Sequence, residues 1–147
     1  MNRWLVKQEP ECYSYADLEK DGETLWDGVG NALAQKHLRA MAPGDEVFFY
    51  HTGDEKAVIG VMSVVAGPEP DPANETKVAV RMKNVRKLAN PVPLAAIKAD
   101  PAFADWELVR ISRLSVMPVA STIWELIEKL AKSPPVVPAK KTKKPAE

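Results

Sequence analysis

The chain carries one cysteine and two histidines in 147 residues. Cys12 has no partner for an internal disulfide. With His37 and His51 it falls short of the four Cys/His ligands of a structural zinc site. No apolar run approaches the ~20 residues that span a bilayer. Residues 1–7 are too short and too interrupted for a secretory signal, so the cytosol is the expected compartment. No phosphate-cradling glycine loop, nucleophile–base motif or internal repeat can be read. Neither sign of charge is in excess, since Lys+Arg and Asp+Glu both number 20. Four lysines and one glutamate fall within 133–147, which leaves 16 basic and 19 acidic residues in the body. That balance excludes a broad basic face. Any nucleic-acid partner must be met by a local patch and a shaped pocket.

What is present is a composition ordinary for one soluble domain, 46% hydrophobic and 27% charged. Residues 3–7 alternate and are β-prone, and Glu9-Pro10 stops that strand. Ser14 can cap a short helix closed by Asp21-Gly22, and Asn31 can cap a second. In the second helix Leu33, Ala34, Leu38 and Met41 fall on one face. Pro43-Gly44 suits a type II turn. Strands are expected over 47–51, 57–66 and 77–83, with a bulge or close approach at Gly60 and a parity shift near Asn84. Further on come a helix over 94–99, helical turns over 103–109 and a brief strand over 114–116. Thr122 to Glu125 fits a capping box for a last helix with Ile123, Ile127 and Leu130 inward and Trp124 in its packing. The Lys/Pro-rich stretch 133–147 cannot bury a core and is expected to be disordered, leaving one domain over 1–132. Mixed short strands with helices around them suggest an α+β fold on a curved or closed sheet.

Four polar-aromatic blocks stand in a fixed order. They are Trp4-Leu5-Val6-Lys7-Gln8-Glu9-Pro10, Leu25-Trp26-Asp27-Gly28-Val29-Gly30-Asn31, Leu38-Arg39-Ala40-Met41 with Gly44-Asp45, and Phe48-Phe49-Tyr50-His51-Thr52. A fifth, Arg113-Leu114-Ser115-Val116-Met117-Pro118-Val119, follows near the end. Together they resemble the EVE domain family, a PUA-like branch related to the YTH and ASCH domains. The resemblance implies a PUA-like curved or closed β-barrel of about five to six strands flanked by helices. It also implies a reader of a modified cytosine or adenine in DNA or RNA, without enzymatic activity or cofactor. The partner is then nucleic acid and not a membrane, and the expected form is a monomer.

Base recognition needs a flat π surface and donors or acceptors for the base edge. Trp4, Trp26 and Tyr50 are the candidates for stacking, while Phe49 reads as core. Lys7, Glu9, Asn31, His51, Thr52 and Ser115 are the candidates for base edges or phosphate. Trp26-Asp27-Gly28 sets an indole beside a carboxylate just before a helix N-terminus, whose N–H groups suit a phosphate or a base carbonyl. The plainer reading is a helix-entry turn with Gly28 at positive φ. Lys7 and Glu9 share one strand face and can form a surface ion pair. In the family, the block ending in His51-Thr52 borders the ligand pocket. An unperturbed histidine, with a pKa of ~6.5, would make binding mildly pH-sensitive.

The chain also departs from the family pattern. Gln8 replaces a serine, Gly30 and Ala32 stand where an arginine and an aromatic are usual, and Met117 replaces a glutamine. Two other functions fit the residues. One is an ASCH-like hydrolase or RNase using Lys7, Glu9 or His51 in acid/base roles. The other is a degenerate domain kept for protein contacts.

Overall fold

The structure, a computed structural model, describes residues 1–132; the expected tail lies outside the described residues. Strand β1 (Arg3–Gln8) leads through helix α1 (Tyr15–Asp21), strand β2 (Glu23–Trp26) and helix α2 (Ala32–Ala40) into β3 (Glu46–His51). The β1 and β3 strands pair in parallel, from Arg3 against Glu46 to Gln8 against His51. Parallel neighbours need a crossover of this length. The apolar runs Trp4-Leu5-Val6 and Val47-Phe48-Phe49-Tyr50 are buried, as strands covered on both faces require.

A long hairpin follows, β4 (Ala57–Asp71) and β5 (Asn74–Pro93), both longer than the sequence suggests. Successive register shifts bend it. The shift near Asn84 is one of them: Met62 faces Asn84 while Val61 faces Arg86, so Val85 is skipped and exposed. Gly60 combines both of its expected roles. It sits at a register shift, and a Cβ there would overlap the Tyr15 ring, whose hydroxyl hydrogen-bonds Asn84. Helices α3 (Leu94–Ala99) and α4 (Glu107–Arg110), with a 3₁₀ turn at Pro101–Phe103 between them, lead to β6 (Val116–Pro118) and α5 (Ser121–Lys132).

The six strands form one mixed sheet in the order β2-β5-β4-β3-β1-β6. Among the described residues no pairing joins β2 to β6, so the sheet is open and the closed-barrel alternative is corrected. Its edges are strands of four and three residues, and β6 contains Pro118, which cannot donate to a further ladder.

Local signals set several elements. Ser14 and Asp17 form a capping box on α1, and Gly22 closes it at φ 78°. Pro43-Gly44 turns the chain with Gly44 at φ 94° and Asp45 N–H on Ala42 O. Two helix faces differ from expectation. Leu33 is 39% exposed, and α2 instead buries Ala34, Gln35 and Leu38. The last helix starts at Ser121, so Thr122 lies inside its first turn; Trp124, Ile127 and Ala131 are its buried residues. Burial of the largest ring sets that phase, because Trp124 stacks on Phe48 at 3.6 Å and 13°.

Candidate nucleic-acid interface

Parallel β1 and β3 end side by side at Gln8 and His51, and two small pockets open there. Side chains alternate along a strand, so Lys7 and Gln8 serve opposite sides. Gln8 lines one pocket of about 230 Å³ with Cys12, Tyr13, Thr24, Trp26 and Asp27. Lys7 lines the other, of about 220 Å³, with Tyr50, Thr52 and Ser112. Both fall below the ~300–1,000 Å³ of drug-sized sites, a scale for one small group each.

Trp26 ends β2, which pairs with β5 at Val80. Its indole is 5% exposed and meets Phe49 edge-to-face at 5.4 Å and 88°, so the ring is fixed by the core and shows only a margin to the pocket. Asp27 is exposed beside it. The loop that follows is held by two buried polar residues. Gly28, at φ 73°, donates its N–H to Asp71 Oδ2 at 2.9 Å, and Ala73 N–H reaches Asp71 Oδ1 at 2.8 Å. These N–H groups hold the Asp71 carboxyl below its usual range against burial. Gln35 donates to Val29 O (2.8 Å) and Val78 O (3.1 Å) and accepts from Val78 N–H (2.9 Å). Asn31 caps α2, its Oδ1 accepting from Ala34 N–H at 3.0 Å. The free N–H groups expected here are therefore partly taken, by Asp71 at Gly28 and by Asn31 at Ala34.

His51 is buried with both ring nitrogens engaged. Nε2 accepts from Tyr15 N–H at 2.9 Å, so the proton sits on Nδ1 and is donated to Glu55 Oε1 at 2.6 Å. The ring ties the start of α1 to the end of β3. Thr52 donates its N–H to Gln8 O at 3.0 Å, and its hydroxyl oxygen is buried without a partner. Lys7 donates to Ser112 O at 2.9 Å and lies 5.7 Å from the Tyr50 ring centre. Burial lowers the Lys7 pKa and pushes Tyr50 up to about 12. The expected Lys7–Glu9 ion pair is not formed: β1 stops at Gln8, and Glu9 turns away to accept from the Cys12 thiol at 3.5 Å. That bond raises the Cys12 pKa, which keeps the thiol protonated.

Trp4, Glu9 and Ser115 line neither of these two pockets. Trp4, also 5% exposed, donates its indole N–H to Asp45 Oδ2 at 3.0 Å within the core. Burial would raise the Asp45 pKa, but Trp4, Asn2 and Ala42 all donate to it and hold it low. Glu9 is exposed and its carbonyl starts the turn to α1. Ser115 contributes its carbonyl to Lys7 N–H at 2.9 Å. Of the departures, Met117 is fully buried opposite Leu5 and lines neither pocket, while Gly30 faces open space. Sequence reasoning missed Asp71, Cys12, Tyr13 and Thr24. It also missed Gln35, whose one signal is a polar residue between two inward apolar ones.

Among the described residues no group of three or more His, Cys, Asp and Glu could hold a metal ion. No helix among them is long and apolar enough to cross a membrane. An open mixed sheet flanked by helices, with two small pockets at the ends of its parallel pair, defines an α+β domain of PUA-like architecture. The chain belongs to the EVE domain family, whose model matches residues 2–130. The solution structure of a Rhodopseudomonas palustris protein is similar at TM-score 0.86 and 38% identity, over 90% of this chain and 94% of that one. The crystal structure of human thymocyte nuclear protein 1 (THYN1) in complex with 5-methylcytosine-containing DNA is similar at TM-score 0.82 and 27% identity, over 92% of this chain and all of that one. In sequence, full-length human thymocyte nuclear protein 1 is 39% identical over 82 residues. That match takes in 48% of this chain and 36% of the human protein, so the chain covers about a third of that relative. An ASCH protein from Zymomonas mobilis shares the fold at TM-score 0.57 and 13% identity.

Proposed function

We propose that this domain reads a modified base in nucleic acid, with 5-methylcytosine in DNA as the first ligand to test. The observation that carries the reading is the likeness, over nearly the whole described fold, to human THYN1 bound to 5-methylcytosine-containing DNA. The Trp26 pocket is the site proposed for the base. A base extruded from its stack would lie against the Trp26 margin and Tyr13, with Gln8, Thr24 and Asp27 at its edges. The loop that leaves this pocket at Gly28-Val29 is held by Asp71 and Gln35, which reduces the ordering that binding requires there. Gly28, Asn31 and His51 serve as positioning residues in this reading. Trp4 serves the core, and Lys7, Tyr50 and Thr52 belong to the neighbouring pocket.

Hydrolysis of the ASCH kind is disfavoured by the state of its candidate groups. Both His51 nitrogens are engaged within the protein, and Lys7 already donates to Ser112. The test is a titration against matched oligonucleotides carrying cytosine, 5-methylcytosine, 5-hydroxymethylcytosine or N6-methyladenine, as DNA and as RNA. A tenfold preference for one modified base, about 1.4 kcal/mol, is expected, which is within reach of one methyl group in a pocket. Equal affinity across the panel would sink the proposal.

A further inference from the structure

The pocket on the Lys7 side is lined by cations and unused donors. Lys7, Lys56 and Lys98 line it, and no carboxylate does. Among the described residues none of these three lysines is paired with a carboxylate. The nearby acids are engaged or displaced. Glu55 accepts from His51, and Asp54 and Glu55 both line an adjoining cleft that shares Lys56 and Lys98. Lys7 is half-buried, so its ammonium has lost water that an anion could replace. The Thr52 hydroxyl oxygen is buried with no hydrogen-bond partner among the described residues, a state that calls for an explanation. Tyr50 stays protonated well above neutral pH, so its hydroxyl remains a donor. Lys56 has φ 44°, the one positive φ outside glycine among the described residues. Its carbonyl accepts from Leu94 N–H at 2.8 Å, which pins this strained residue at the pocket rim. Three lysines and the Tyr50 side chain lining one small pocket, with no carboxylate in its lining, suit a tetrahedral oxyanion.

The position adds a second argument. Lys7 and Gln8 are consecutive on β1, and Tyr50 and His51 are consecutive on β3, so the pocket flanks the same strand ends as the Trp26 pocket. A nucleic-acid strand crossing those ends would present a base to one side and its backbone to the other. We propose that the Lys7–Lys56–Lys98 pocket holds a phosphate of the strand whose base enters the Trp26 pocket, an assignment that rests on the reading proposed above.

The test pairs the wild-type domain with a Lys56→Gln/Lys98→Gln variant, both changes being at exposed positions. A 5-methylcytosine duplex and its unmethylated match are titrated at several salt concentrations. The variant should bind both duplexes more weakly by the same factor, with the slope of log K against log salt reduced by about 1 and the methyl preference unchanged. Unchanged affinity and slope would overturn the proposal. Inorganic phosphate is the second probe, followed through the amide resonances of Thr52 and Lys56. Saturable shifts that vanish in the variant support the pocket as an anion site. Such shifts alongside an unchanged DNA salt slope assign it to free phosphate and overturn the strand assignment. A wild-type domain without methyl preference, but with the slope change intact, would fail the base-reading proposal and leave the phosphate site standing.

Discussion

On the Trp26 side of the strand ends most backbone donors near the pocket are occupied; on the Lys7 side several side-chain donors are not. Asp71 takes the Gly28 N–H, Asn31 takes that of Ala34, and Gln35 bridges Val29 to Val78. Across β1, among the described residues, the Thr52 hydroxyl has no partner and Lys56 and Lys98 pair with no carboxylate. The difference teaches what each pocket can contribute. A slot whose one charged lining group is the Asp27 carboxylate discriminates by shape, where one methyl group counts for ~1–3 kcal/mol. A set of unpaired ammoniums attracts phosphate irrespective of sequence, and its contribution fades with salt.

The contrast can be broken most severely at Trp26. Its ring belongs to the core, so Trp26→Ala should cost about 3–5 kcal/mol in urea unfolding, and loss of binding in that variant would confound site with fold. Trp26→Phe and Asp27→Ala are the sharper changes. Gln35→Ala comes next. It leaves Val29 O, Val78 O and Val78 N–H without their partner and should cost about 1–3 kcal/mol. Faster hydrogen exchange at Val78 would show that the loop behind the Trp26 pocket has loosened, while the Lys7 pocket keeps its response to phosphate.

Acid acts on two buried carboxylates, Asp71 behind the Trp26 pocket and Asp45 beside Trp4. The folded pKa values of Asp71 and Asp45 lie below those of the unfolded chain. Their contribution to stability is therefore complete above the unfolded value, ~3.9, and is lost as pH falls from there through the folded values. Asp71→Asn should flatten that acid limb in a melting-temperature profile, and an unaltered limb would count against Asp71 as the loop's anchor. The smallest effect is expected for Leu33→Ala on the exposed face of α2, within about ±0.5 kcal/mol. A larger loss would return Leu33 to the core and contradict the Gln35-inward face.

Leu33 and Gln35 also show what a sequence conceals. Helical periodicity ranks Leu33 inward because it counts apolar residues, but a buried glutamine with three backbone partners is worth burying too. The four-residue strand β2 was invisible for another reason: an edge strand so short carries no period of its own. Signals carried by local chemistry were legible. The Ser14 cap, the Pro43-Gly44 turn, the Gly60 close approach and the skipped Val85 all follow from residue type and parity. At the candidate site, the blocks pointed to Trp26 and Lys7. They could not say that Trp4, in an equally aromatic block, spends its indole N–H on Asp45. Nor could they show that Met117 faces the core, so that its replacement of a polar residue leaves both pockets untouched.

The most direct measurement is the affinity of the wild-type domain and of Trp26→Phe and Asp27→Ala for one duplex with and without 5-methylcytosine, at low and high salt. The account predicts at least tenfold tighter binding of the methylated duplex by the wild type, persisting at high salt, and a smaller preference in both variants whose melting temperatures stay near wild type. Affinity that ignores the methyl group and disappears with salt would contradict it.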